Sequence, residues 1–309
     1  MSPVPARLLP RPTTSPRLYA LLVSAFPLLA VAHDSPDQII AAITAQIGRD
    51  GTTAELLYRR ATEHRALGHT PEAMADFQAS LRLQPSASAY ADLAELYQSQ
   101  GDLTTALSLL DRALTDAPSP PLHVARARLL HLAGQHRKAL AEFAYVPAPD
   151  VDAVLLHAQI HRTLDDHTSR IDVLKSGHTS SRSAVLYAAW IDALLDTGQA
   201  TAALPEIGAT LKNRRFKAAW QIRRARALLQ LDHNTQARTD LHAAIAETTA
   251  RLESQKTAPD LTLLIDRSQA HALLGDRTAA QRDITTARAL GASPRLLRPA
   301  IDSLRNSSR

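Results

Sequence analysis

Three glycines, Gly68, Gly101 and Gly134, stand at a constant interval of 33 residues, and each is followed five positions later by an alanine: Ala73, Ala106 and Ala139. A period of that length constrains the fold more than any local propensity. One such unit is a single supersecondary element that cannot bury its apolar side alone and must stack on its neighbours. The side chains around each glycine keep a fixed order, most complete in the second unit. There Tyr90, Leu93, Ala94 and Tyr97 precede Gly101, and Ala106, Leu110, Ala113 and Pro118 follow it. The 309 residues are 45% hydrophobic and only 4% aromatic, which suits many small helix-to-helix contacts rather than one large core.

This order resembles the tetratricopeptide repeat, whose pattern runs W-x2-L-G-x2-Y, then A-x3-F, then P. The resemblance implies an all-α, right-handed superhelical solenoid of antiparallel helix pairs, about seven repeats long, closed by helical caps. It names a fold and a way of binding, and no particular partner. The units fall at 53–85, 87–118, 120–150, 151–183, 184–217, 218–259 and 260–294. A capping segment at 33–52 precedes this 53–294 array, and a capping helix with a polar tail at 295–309 follows it. In the 33–52 segment, Ser35, Pro36 and Gln38 have capping-box spacing, and Ile40, Ile43 and Ile47 share a face.

The fourth unit departs from the pattern. Asp165 stands where glycine is expected and Arg170 where the small alanine is expected, so the sequence predicts a degenerate or locally distorted repeat, tolerant of change at Arg170. The sixth unit exceeds the period, which predicts a lengthened second helix over 235–256, ended by Pro259. Elsewhere the alanines mark places where helices approach too closely for a larger side chain.

Residues 1–32 read as a secretory signal. Arg7, Arg11 and Arg17 form an acid-free basic region, an apolar stretch over 18–29 follows, and Ala30, Val31 and Ala32 give a small-residue cleavage site. The apolar stretch is shorter than a spanning helix needs and is interrupted by Pro27, so no integral membrane anchor is expected. Cleavage there starts the mature chain at His33 and lowers the formal charge from +5 to +2, which removes most of the motive for nucleic-acid binding. The expected location is the periplasm or cell envelope. With no cysteine there is neither a disulfide nor a thiol nucleophile.

None of the common nucleotide, phosphate, zinc-protease, serine-hydrolase or calcium-loop patterns occurs, so neither an enzyme nor a cofactor is expected. His157 and His161 are four apart on one predicted helix, and His33 would carry a free amine. These are the residues of an alternative reading as a metal-binding or metal-delivery protein. Against it, His64, His161 and His271 occupy the inter-helical position held by Tyr97 in the best repeat, which makes His161 a packing substitute. The run from Lys212 to Arg226 holds seven cations and no acid. It is either a docking patch for an acidic partner or phospholipid headgroups, or a solvated turn with arginines lying over apolar neighbours.

The resemblance places ligands on the concave face lined by first helices. Positions thirteen, ten, six and three before each turn residue share one helical face. They select Arg128, His131, Gln159 and Arg162 at the centre, then Leu195, Ile222, Arg226, Leu229 and Ile265 toward the C-terminus. Glu55, Glu95, Asp152 and Asp192 supply opposing charge. The chain lacks the asparagine-rich groove with which some family members clamp a terminal carboxylate. The expected role is an exported scaffold whose groove, basic at its centre and apolar toward one end, takes a protein or peptide with acidic and apolar residues. Self-association, or filling of the groove by the tail, is the competing occupancy.

Overall fold

The computed structural model describes residues 35–255 and 259–306, and the signal segment and His33 lie outside them. Sixteen α-helices and no strand are found among the described residues. α1 (Pro36–Asp50) opens the array with the reciprocal capping box between Ser35 and Gln38. Seven pairs follow: α2 (Ala54–Ala66) with α3 (Thr70–Leu83), α4 (Ala87–Ser99) with α5 (Leu103–Asp116), and α6 (Pro120–Leu132) with α7 (His136–Glu142) and a short 3-10 turn. Next come α8 (Val151–Thr163) with α9 (His167–Ser181), α10 (Ala184–Asp196) with α11 (Ala200–Asn213), α12 (Ala218–Gln230) with α13 (Asn234–Glu253), and α14 (Leu261–Leu274) with α15 (Arg277–Ala289). α16 (Pro294–Asn306) closes the chain. Each helix packs on the next, so the core is a series of small clusters rather than one centre.

The alanines explain the spacing of the helices. Ala61, Ala73, Ala106, Ala127, Ala139, Ala203, Ala225, Ala237 and Ala280 are completely buried where helices meet, and Phe77, Tyr90, Leu110 and Ile207 fill the volume between them. The turn between paired helices needs a left-handed residue. Gly68, Gly101, Gly134, Gly198 and Gly275 supply it with φ between 74° and 86°.

The fourth unit is not distorted. Asp165 adopts the left-handed conformation itself, with φ 54°, and Asp232 does the same in the sixth unit with φ 59°. Aspartate tolerates this region better than other side chains with a Cβ. Nor is Arg170 a permissive position. It is buried, and its guanidinium donates to Asp196 of α10 at 2.9 Å, replacing alanine's steric fit with an ion pair across the repeat boundary.

A second regularity is electrostatic. Eight residues before the turn, Arg60, Arg126, Arg224 and Arg267 reach across to an acid eight residues after it: Asp76, Glu142, Asp240 and Asp283. In the first, sixth and seventh units both carboxylate oxygens are engaged by one guanidinium, so each hairpin is clasped by a bidentate pair.

Candidate functional site: the concave groove

First helices present their exposed faces to the groove, and much of the groove's charge is neutralised internally. At the N-terminal end, Arg65 donates to Asp92 at 2.7 Å and to Glu95 at 3.2 Å, while the Tyr58 hydroxyl donates to Asp92 at 2.9 Å. Toward the other end, Arg226 bridges Asp192 at 2.9 Å and Asp196 at 2.8 Å, and Arg223 binds both oxygens of Asp192. Each acid here comes from a neighbouring repeat, so these pairs fix the register of one unit on the next.

The centre is different. Arg128 is exposed and His131 and Gln159 are half-buried, with the Gln159 amide 3.4 Å from His131 Nε2. Arg162 is half-buried on α8 and has no carboxylate within 4.0 Å among the described residues. Burial, reinforced by the charges of Arg298 and Arg170, lowers the pKa of its guanidinium below the ordinary value. Its neighbours' acids are committed elsewhere: Asp196 to Arg170 and Arg226, and Asp302 to Arg298.

The apolar half of the expected groove is corrected by the structure. Leu195, Ile222 and Ile265 are buried. Leu195 packs with Ile191, Ala203 and Ile207, and Ile222 packs with Ala225, Leu241 and Ala244. Ile265 lies in the cluster that α16 completes with Leu297 and Ala300. Leu229 is half-buried against the same cluster as Ile222. These positions lie where helices of the array meet, and a large aliphatic there gains more by packing between helices than by facing water. Arg226 faces the groove already paired. Asp196 and Gln230, two residues before their turns, belong to the groove's polar surface and are not selected by the four-position rule. The Gln230 amide donates to the Leu195 carbonyl at 2.7 Å.

α16 is the most strongly two-faced helix of the described chain. It packs more on α14 than on α15, the reverse of how each preceding first helix sits on the pair before it. The charges of its Arg298 and Asp302 are felt at Arg162 of α8.

The histidine pair on α8 is structural in its contacts. His157 stacks on Phe143 of the preceding unit with ring centroids 4.1 Å apart, and its Nε2 lies 3.1 Å from His161 Nε2. His161 Nδ1 faces Asp166 at 3.1 Å. Burial, then the neighbouring His161, pushes His157 down to about 4, so it is neutral at physiological pH. No group of three or more His, Asp or Glu side chains is arranged to hold a metal ion among the described residues. No helix among them is long and apolar enough to cross a membrane.

Helix pairs with left-handed turns, alanine-spaced contacts and a groove lined by first helices define a helical-repeat solenoid. The particular fold is that of the tetratricopeptide repeat. A tetratricopeptide repeat protein from Parabacteroides merdae superposes with a TM-score of 0.55 at 15% identity, over 83% of this chain and 99% of that one. Yeast Tom70 superposes with a TM-score of 0.53 at 13% identity, over 88% of this chain and 59% of Tom70. No family model and no curated protein matches the sequence.

Proposed function

We propose that this protein is a non-enzymatic interaction scaffold whose concave groove holds an acidic segment of a protein partner at the α6 and α8 helices. The observation that carries this reading is Arg162. The paired groove arginines Arg65, Arg223 and Arg226 each have an aspartate, while Arg162 is half-buried with none in contact among the described residues. A partner carboxylate at Arg162, with a second at exposed Arg128, supplies a counter-charge that the described residues do not give these two arginines. Both residue types and their setting also agree with the groove-binding habit implied by the repeat. The signal-like segment 1–32 supports a periplasmic or cell-envelope address for this role, with a mature chain starting at His33.

The test is photo-cross-linking from Gln159 in intact cells, with Arg128→Glu plus Arg162→Glu as the comparison. The expected result is a discrete covalent partner whose contact segment is acidic, lost in the double reversal while the helical signal is unchanged. A partner captured equally by both forms removes Arg162 from the site. Sequencing the N-terminus of the envelope-fraction protein checks the address, and an intact Met1 overturns it.

A further inference from the structure

The exposed large apolar side chains are not scattered over the solenoid. Among the described residues, Leu83, Tyr145, Val185, Phe216, Leu290 and Leu296 all lie on one rim, where second helices end and first helices begin. The opposite rim carries only Leu132 and Leu164. One point on the studded rim is also strongly basic. From the end of α11 to the start of α12 the chain reads Lys212, Asn213, Arg214, Arg215, Phe216, Lys217, all exposed, and Phe216 is 49% exposed.

The fold holds Phe216 outward by a specific arrangement. Lys217, at the N-cap of α12, has no side-chain cap of its own, and its amide donates to both carboxylate oxygens of Glu247 on α13, at 2.9 and 3.1 Å. That anchor ties the loop to the next hairpin and leaves the preceding ring outside every core cluster. The ring's neighbours are cations: the Arg251 guanidinium stacks over it at 4.1 Å and that of Arg215 lies 5.2 Å from its centroid. The side chains of Lys212, Arg214, Arg215 and Lys217 have no acid within 4.0 Å among the described residues. Glu247 is the nearby carboxylate, and it is committed to the Lys217 amide, with Arg251 at 3.9 Å.

An outward aromatic ring framed by unpaired lysines and arginines matches an anionic lipid surface. There the ring enters the headgroup boundary and the cations meet phosphates. We propose that this rim, led by Phe216 with Lys212, Arg214, Arg215, Lys217 and Arg251, docks the solenoid on an anionic membrane face, leaving the concave groove open to its partner. A polypeptide that offers acidic side chains alone meets the charges but gives the exposed ring no apolar medium to enter. The ring therefore favours lipid.

The experiment is co-sedimentation of the full chain with vesicles of phosphatidylcholine alone and of phosphatidylcholine mixed with phosphatidylglycerol. Binding is expected only to the anionic vesicles and should weaken with salt. Arg214→Glu with Arg215→Glu should lower partitioning by about thirtyfold or more, on the contribution of basic side chains at an anionic surface. Phe216→Ser should lower it several-fold with the helical signal unchanged, since the side chain supports no core cluster. In a separate Phe216→Trp protein, emission should shift to the blue on anionic vesicles. No binding to the anionic vesicles overturns the proposal. So does binding indifferent to Phe216→Ser, or polyglutamate competing as well as the lipid and without dependence on Phe216, which would assign the patch to an acidic chain.

Discussion

The clasp inside the seventh repeat makes an asymmetric prediction. Arg267 donates to Asp283 through Nε at 2.8 Å and Nη2 at 2.7 Å, and to the Thr249 hydroxyl through Nη1 at 3.2 Å. The arginine side chain is 23% exposed and the aspartate 6%. Arg267→Met therefore strands a buried carboxylate, at a cost of about 3–5 kcal/mol. Asp283→Asn keeps an acceptor for one donor and leaves a guanidinium that reaches water and Thr249, costing about 1–2 kcal/mol. Replacing both, as Arg267→Met with Asp283→Leu, removes the stranded charge and should return stability to within about 2 kcal/mol of the starting protein. Repeat arrays need not unfold as one unit, so amide exchange in α14 and α15 is the readout, with urea melts alongside. Equal losses from the two single changes at neutral pH, or a double variant as unstable as Arg267→Met, would refute the reasoning.

Asp165→Gly should stabilise the fourth hairpin by about 0.5–1 kcal/mol, because glycine occupies φ 54° without the steric penalty of a Cβ, whereas Gly101→Ala at φ 82° should destabilise by about 1 kcal/mol or more. Thermal melts showing the same sign for both would contradict this. On α14, burial raises the Asp266 carboxyl to about 6 despite Arg223 and Arg251 nearby. The folded protein then holds this proton more tightly than the unfolded chain does, so its contribution to stability falls as pH rises from about 4 to about 6. Asp266→Asn should remove that decline and stabilise the protein by about 1–3 kcal/mol above pH 6, and melts at several pH values with no change in slope would count against it.

The repeat, the turn residues and the alanine contacts were legible because each depends on one position recurring at a fixed period. What was not legible depends on pairs. The clasp needs Arg60 and Asp76 to be compared across the turn, and once the register is set the same offsets pick out Arg126 with Glu142, Arg224 with Asp240 and Arg267 with Asp283. Asp232 takes the turn position of the sixth unit in place of glycine, and its left-handed backbone is one that aspartate tolerates. Leu195, Ile222 and Ile265 were placed in the groove because helical spacing assigns a face but not the neighbour that covers it. Ile265 in particular is covered by α16, whose lean toward α14 has no signature in the period.

Arg162 shows how a groove already rich in ion pairs can still be selective. The paired arginines contribute little to discrimination, since a partner would have to compete with an aspartate that is held in place at no further ordering cost. Arg162 has already lost part of its hydration, and any segment laid over α8 removes more. A segment without a carboxylate leaves that guanidinium buried and unpaired, which opposes binding. A carboxylate of the right reach turns the same desolvation into a stronger ion pair, because the attraction grows as water leaves. Arg298 and Asp302 of α16 sit within range of this charge. An acidic partner at Arg162 should therefore also be drawn by Arg298 and opposed by Asp302.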